Sequence, residues 1–356
     1  LASDSFWALV GSAAGRGLSF IAGVAIARML GSELYGEYGT IKNTLMMIAI
    51  FSSLGMGYSA TKFIAESGDD VHRIAATHRI ATRLTLLMSG LIAVVVILCA
   101  EHIALWIEAP HLDTTLRLCS IAVILNAINT TQTGELAGLG AYRPLAINNG
   151  IAGVFTLIAS VALALCYGFD GAIAALILSL AFNALLNRRT IARHIERGAG
   201  KQYNSDYAKQ VVRFSIPIAM QESLYSITHW ASIFILIKLS GYAEYGVSAA
   251  ANQWYAVLLF IPGALRNVAL SHLAKSNKDT ETNRTVLKRL MLINLLSTIL
   301  PALCIGALSE WVVSWYGASF EGLRAVLCVV LISAVVNSVT NVMTQEFMAH
   351  NRNWFL

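Results

Sequence analysis

Ser12, Arg16, Ser19 and Gly23 recur at intervals of three or four, the spacing of one helix face, inside the apolar run from Phe6 to Met29. No acidic residue shares that run. An arginine at the centre of a membrane-crossing helix costs roughly 2.5–3.5 kcal/mol on insertion scales, so it is expected to face a polar cavity and meet an anion there. Close helix packing accounts for the Ser and Gly of such a stripe. It does not account for the guanidinium. The chemistry on offer is anion binding, because a guanidinium makes strong charge-assisted, often bidentate bonds to phosphate or carboxylate.

Lys42 and Arg266 extend the set of candidate cavity cations. Lys42 sits one turn inside the outer end of its span, with Asn43 beside it; Arg266 follows Pro262 and Gly263, residues that weaken a helix and free backbone groups near a pathway. Snorkelling to the headgroups competes with a cavity role for both, and is the better reading for Arg28. Glu222, Tyr225, Ser226 and His229 share another face, shortly after Pro217. Glu222 and His229 are the candidates for a gate or a protonatable coupling site, since a poorly solvated carboxyl shifts easily toward neutral pH; a static ion pair is the alternative. Asn126, Asn129, Thr130 and Thr133 form an amide and hydroxyl stripe, repeated by Asn337, Thr340, Asn341 and Thr344. The four asparagines are candidates for hydrogen bonds to sugar hydroxyls, or for ties between helices, the commoner use.

No set of residues has the spacing of a catalytic centre. His72, His78, His102 and His111 lie at loops or span ends without metal-ligand spacing on a shared face. Gly134, Gly138 and Gly140 are not followed by the Lys-Ser/Thr of a phosphate-binding loop. Neither catalysis, nor a metal, nor a cofactor is expected. The five cysteines are scattered through apolar spans and read as small core residues.

The elements that must position these residues follow from hydropathy. With 56% apolar and 13% charged residues the chain departs from soluble-domain values of about 45–50% and about 25%. Runs near the roughly 20 residues that cross hydrocarbon fall at about 6–29, 40–64, 84–107, 116–139, 145–167, 169–186, 214–239, 247–270, 290–308 and 325–348. Their length and lack of alternation predict an all-α polytopic membrane protein with ten helices and exclude a β-barrel. Eighteen of the 25 Lys and Arg flank the connections after even-numbered spans, among them Arg79, Arg193 and Lys278, so those connections and the N-terminus are expected in the cytoplasm. The net charge of +5 is thereby assigned to orientation, and no nucleic-acid partner is expected.

The chain also matches itself. Gly31, Tyr35 and Gly36 fall on Gly241, Tyr245 and Gly246 at a shift of 210, and Asn126, Thr133 and Glu135 fall on Asn337, Thr344 and Glu346 at 211. An even number of spans per copy gives parallel repeats, related by an axis along the membrane normal and facing each other across a central cavity. The expected division is an N-terminal six-helix bundle over 1–200 and a C-terminal bundle over 205–356, with a basic linker at 187–213. The second copy stops at the equivalent of its fourth span, so twelve or more helices are expected in the complete protein. Within the linker, Ser205 is placed to cap a helix with Tyr207, Val211 and Phe214 on one face and Lys209 and Arg213 beside them, an interfacial pattern suited to anionic lipid heads.

Ala27-Arg28-Met29-Leu30-Gly31 followed by Tyr35-Gly36-Glu37-Tyr38 resembles the start of the bacterial polysaccharide (O-antigen) flippases, of the multidrug/oligosaccharidyl-lipid/polysaccharide exporter superfamily. Gly138-Leu139-Gly140-Ala141-Tyr142 and Phe214-Ser215-Ile216-Pro217 are similar in the same order. Ser248 departs from the pattern, standing where the first copy has Tyr38. The resemblance implies two six-helix bundles around a cavity that moves a polyprenyl-diphosphate-linked oligosaccharide between leaflets of the bacterial inner membrane by alternating access. It implies membrane lipids as partners, with a polysaccharide polymerase and chain-length proteins as further candidates. A diphosphate is the anion that Arg16 requires. A drug or cation exporter of the same superfamily would line its cavity with acidic groups, whereas Arg16 and Lys42 outnumber Glu222 at comparable depth. A peptidoglycan-precursor flippase is the nearer alternative.

Overall fold

The computed structural model describes residues 2–195, 205–260, 262–263 and 280–349. Hydrocarbon supplies no hydrogen-bonding partner, so a crossing segment must satisfy its own backbone, and a helix does so. The described residues form α1 (Ala2–Ser53), α2 (Met56–Glu66), α3 (Val71–Trp106), a 3-10 turn at Pro110–Leu112, α4 (Asp113–Gly138), α5 (Tyr142–Ile195), α6 (Ser205–Leu258), α7 (Thr280–Ala307), α8 (Ser309–Ser314) and α9 (Leu323–Ala349). No strand occurs among them. The chain is an all-α, multi-pass membrane protein.

Three helices are too long for one crossing. At 52, 54 and 54 residues, α1, α5 and α6 would each run about 80 Å if straight, against hydrocarbon roughly 30 Å thick. Each is broken at a glycine: Gly31 (φ 76°, ψ 174°), Gly168 (φ 58°, ψ −128°) and Gly241 (φ 85°, ψ 176°). Positive φ with extended ψ is essentially a glycine conformation. Gly31 and Gly241 adopt the same one 210 residues apart, and Tyr35 and Tyr245, related by the same shift, are both buried. The internal repeat read from the sequence is thus carried by the backbone.

Among the described residues, Gly15–Ser53, Val71–Trp106, Pro110–Gly138, Tyr142–Ile195, Arg284–Ala307 and Leu323–Thr344 are long and apolar enough to cross a membrane. The turns at Gly31 and Gly168 divide the first and fourth of these stretches, and the two arms of α6 carry expected spans 7 and 8. Span 2, expected to be continuous over 40–64, is interrupted at Leu54 (φ 46°) and Gly55 (φ 67°), where α1 gives way to α2. Left-handed backbone at a leucine is uncommon and costs roughly 1–2 kcal/mol, so this break is held by its packing. Expected span 3, 84–107, lies within a longer helix that starts at Val71, where the Asp70 carboxylate accepts from the His72 and Arg73 N–H groups, each at 3.1 Å. The expected connection 187–213 is helical at both ends, through Ile195 and from Ser205.

By their contacts the residues form two compact units, 1–245 and 246–356. In the first, Met56, Ala60, Phe63, Ile64, Ala81 and Val211 form a buried cluster flanked by Tyr207 and Phe214. Helices α2 and α4 meet at backbone distance: a methyl group on Gly134 would lie 2.0 Å from the Gly57 carbonyl oxygen, and one on Gly138 would lie 2.9 Å from that of Thr61. The Thr61 hydroxyl donates to the Gly134 carbonyl at 2.9 Å. Small residues four apart permit this approach. In the second unit Trp254 donates through its indole N–H to the buried Tyr316 hydroxyl at 3.0 Å, while Tyr316 and Phe320 pack ring to ring.

The α2–α4 contact predicts the outcome of filling it. Gly134→Ala must push two backbones apart, and overpacking of this kind costs typically 1–3 kcal/mol, so the melting temperature in detergent and the folded yield are expected to fall. Gly150→Ala, where nothing lies within 4 Å of the added carbon, is the control and is expected to lose neither. Equal melting temperatures for the two variants would contradict the close approach.

Candidate functional site

Arg16 sits on α1 with one neighbouring face committed to packing. A Cβ on Gly15 would stand 3.6 Å from the Asn149 Cβ on α5, and one on Gly153 would press on Leu18 at 2.9 Å. Arg16, Gly17 and Ser19 are exposed, and the space beside Gly17 is open to at least 4 Å. The guanidinium and the Ser19 hydroxyl therefore occupy an open face of the helix, the arrangement its spacing predicts. The Ser12 side chain lies outside the described residues.

Lys42 is also exposed, beside the fully buried Ile41 and next to a polar seam between α1 and α6. Asn43 Nδ2 donates to the Tyr245 hydroxyl at 2.8 Å, and the Trp230 indole N–H donates to the Thr44 hydroxyl at 2.9 Å. Trp106, Trp230 and Phe234 stack around that bond with ring centroids 4.9–5.4 Å apart. Lys238 pairs with Glu108, the Tyr242 hydroxyl donates to the Ile107 carbonyl, and His111 Nε2 lies 3.0 Å from Glu37 Oε1. Burial, reinforced by the Glu37 and Glu108 carboxylates, pushes the Tyr242 phenol up from its usual range, so it stays protonated as a donor.

Toward the start of α6 a second contact fixes the same helix. The Ser59 and Ser215 hydroxyls are 2.5 Å apart, and a Cβ on Gly55 would approach the Ser215 carbonyl oxygen to 3.1 Å. Seven residues separate Ser215 from Glu222 and eight separate Glu222 from Trp230, so at 1.5 Å per residue the backbone of Glu222 stands about 11 Å from each anchored end. The Glu222 side chain, and with it any confrontation with Arg16, lies outside the described residues. So does Arg266. His229 is exposed beside the buried Trp230.

The amide stripes divide on inspection. Asn129 is buried and donates to the Leu180 carbonyl at 2.9 Å, tying α4 to α5. Of its two expected roles the structure gives it the inter-helix one. Asn126 is half-buried, with its carbonyl accepting from the Thr130 hydroxyl at 3.0 Å. Asn341 donates to Asn337 at 3.0 Å along one face of α9, and both are half-buried.

One polar pair was not singled out by the sequence. His78 on α3 lies 2.9 Å through Nδ1 from Oε1 of Glu135 on α4, and Glu135 is completely buried. Glu135 Oε2 and Gln132 Oε1 are buried without a hydrogen-bond partner among the described residues. His78 and Gln132 line a hollow of about 240 Å³ with Arg188, Ile191, Ala192 and Ile195. The signal available was the recurrence of Glu135 as Glu346; the partner stands 57 residues away on another helix. No group of three or more His, Cys, Asp or Glu able to hold a metal occurs among the described residues.

This architecture is that of solved transporters. A multidrug resistance MATE family transporter of the MOP superfamily, in an inward-facing conformation, aligns over 98% of this chain and 85% of its own with a TM-score of 0.78 at 14% identity. A MOP superfamily transporter from Pyrococcus furiosus, for which a reverse polarity of the binding pocket is taken to suggest a different function, aligns over 98% and 82% with a TM-score of 0.70 and 14% identity. The polysaccharide biosynthesis protein family matches residues 1–270, and the chain belongs to that family. The EPS I polysaccharide export inner membrane protein EpsE of Ralstonia nicotianae is 21% identical over 376 aligned residues, covering 99% of this chain and 82% of that protein.

The His78–Glu135 pair predicts a specific non-additivity. Removing the ring in His78→Ala strands a buried carboxyl and is expected to cost about 1–3 kcal/mol. Glu135→Gln keeps an acceptor for the ring and should cost less. His78→Ala combined with Glu135→Leu should be more stable than His78→Ala alone, because the stranded group is gone. Thermal unfolding of the four proteins in one detergent measures this, and a His78→Ala protein as stable as its parent would show the pair to be without weight.

Proposed function

We propose that this protein carries a polyprenyl-diphosphate-linked oligosaccharide from the inner to the outer leaflet of a bacterial inner membrane, by alternating access, with its N-terminus in the cytoplasm. The observation that carries the reading is Arg16: a guanidinium exposed on α1 within an apolar run, Phe6 to Met29, that holds no acidic residue, where an anionic ligand offsets the cost of a charge in hydrocarbon. Membership of a polysaccharide biosynthesis family and similarity to a protein named for polysaccharide export supply the class of cargo. The charged diphosphate would meet Arg16, with Lys42 and Arg266 as further cations. The glycan would meet polar groups such as Asn126, Asn337 and Asn341, and the polyprenyl tail would remain in lipid. In this reading residues 1–200 and 205–356 are the two moving bundles, Glu222 or His229 couples or gates the movement, and the protein has no catalytic step of its own.

A multidrug exporter is the competing reading, favoured by the MATE transporters of the same fold. Pocket polarity separates the two. The Pyrococcus furiosus relative links a reversed pocket polarity with a different function, and a cation at the position of Arg16 repels organic cations while attracting phosphate.

Arg16→Ala in the complete protein is expected to abolish surface glycan while insertion and abundance persist. Arg16→Lys should retain part of the activity, because lysine restores a point charge without the planar fork. Surface glycan immunoblotting beside a membrane-fraction blot reads both, and normal glycan in Arg16→Ala cells would sink the assignment.

A further inference from the structure

A groove of about 610 Å³ opens between α3 and the start of α6. Its α6 wall is held from behind. Tyr207, Val211, Phe214 and Ser215 face the protein: the Tyr207 hydroxyl lies 2.7 Å from that of Thr77, Val211 is fully buried, and Phe214 meets Phe63 edge-on at 5.8 Å. The opposite face of the same turns supplies Val212 and Ile216, and α3 supplies Ile80 and Leu84, which together make an apolar floor. Arg83, Lys209 and Arg213 line the same groove and all three are exposed. The neighbouring carboxylate, Asp206, stands 3.2 Å from Lys209, so the local balance is strongly cationic.

This combination specifies its occupant. A peptide would bring backbone groups that a floor of aliphatic side chains cannot bond. A soluble anion would use the three cations and leave the floor wet. A hydrocarbon chain carrying an anion at one end satisfies both, with its chain on Ile80, Leu84, Val212 and Ile216 and its phosphate among the cations. We propose that this groove is a binding site for an anionic phospholipid of the adjacent leaflet, wedged between α3 and the opening turns of α6. The site lies apart from Arg16 and holds whether or not the cargo is a lipid-linked glycan. Its consequence is mechanical, because the lipid completes the packing of the helix segment that leads into Pro217 and Glu222.

The test uses the full chain in nanodiscs of phosphatidylcholine with increasing phosphatidylglycerol. Ligand that binds the folded state stabilises it by RT ln(1 + [L]/Kd), so the melting temperature climbs with the phosphatidylglycerol fraction once that fraction passes Kd. Such a rise is expected. Arg83→Gln, Lys209→Gln and Arg213→Gln together should weaken apparent phosphatidylglycerol affinity roughly 100-fold, each cation contributing about a factor of five. Val212→Trp, which fills the floor and keeps every charge, should remove that rise while leaving the melting temperature in pure phosphatidylcholine near that of the parent. Native mass spectrometry should count fewer retained phosphatidylglycerol molecules for both variants, and this readout stands even if the triple variant is less stable. A rise that persists in both variants would overturn the proposal. Stabilisation of the same size by inorganic phosphate would also overturn it, by reducing the site to a plain anion site, as would an equal rise with polyprenyl phosphate at a tenfold lower mole fraction, by assigning the groove to the carrier.

Discussion

A polar group placed in hydrocarbon has no water to fall back on, and this single deficit orders most of what is seen in the chain. It forces the backbone into helices, and it makes hydroxyls bond inward to their own helix: Thr40 to the Gly36 carbonyl at 2.9 Å, Ser67 to Phe63 at 2.6 Å, Thr228 to Leu224 at 2.9 Å. Asparagines tie helices or helix arms together: Asn129 bonds α4 to α5, and Asn148 bonds Asn187 across the two arms of α5 at 3.0 Å. Most charges are withdrawn to span ends. Against that background Arg16 stands out as a permanent charge exposed in the middle of an apolar run, and the proposed cargo brings an anion to it.

Helix α6 is tied to both α1 and α2. Its first arm is bonded to α1 through Thr44–Trp230 and meets α2 through Ser59–Ser215, and Asn43 of α1 bonds Tyr245 just past the break at Gly241. If transport proceeds by alternating access, contacts of this kind are the ones exchanged, since hydrogen bonds between membrane helices are individually modest, averaging roughly 0.6 kcal/mol. The break at Leu54 and Gly55 lies beside Ser215 of α6. The contacts between Gly57 and Gly134, by contrast, admit no sliding without a clash, which makes α2 and α4 a rigid pair.

The crossing segments were legible because hydropathy over twenty residues is a large, summed signal, and the turn at Gly31 was legible because its loop recurs at Gly241. That Arg16 and Ser19 share a helix face follows from periodicity alone; that both are exposed is read from the structure. The interruption of span 2 was not legible: Leu54 and Gly55 differ little from other apolar dipeptides in the chain, and their left-handed backbone is imposed by packing. Neither was the His78–Glu135 pair, since each residue in isolation looks like a span-end charge and only the approach of α3 to α4 joins them. Asn129 illustrates a real ambiguity, because an amide that ties helices and one that faces a sugar have the same periodicity. The groove between α3 and α6 was half visible: the amphipathic start of α6 could be read, its apolar partner on α3 could not.

Carriage of an anionic lipid-linked sugar is measured as translocation by the purified, complete protein in proteoliposomes. A fluorescent polyprenyl-diphosphate oligosaccharide is placed in both leaflets, and the fraction open to an impermeant quencher is followed in time beside efflux of an organic cation such as ethidium. Protein-dependent movement of the lipid-linked sugar with no ethidium efflux is expected. Ethidium efflux with an immobile lipid-linked sugar would contradict it and assign the protein to drug export.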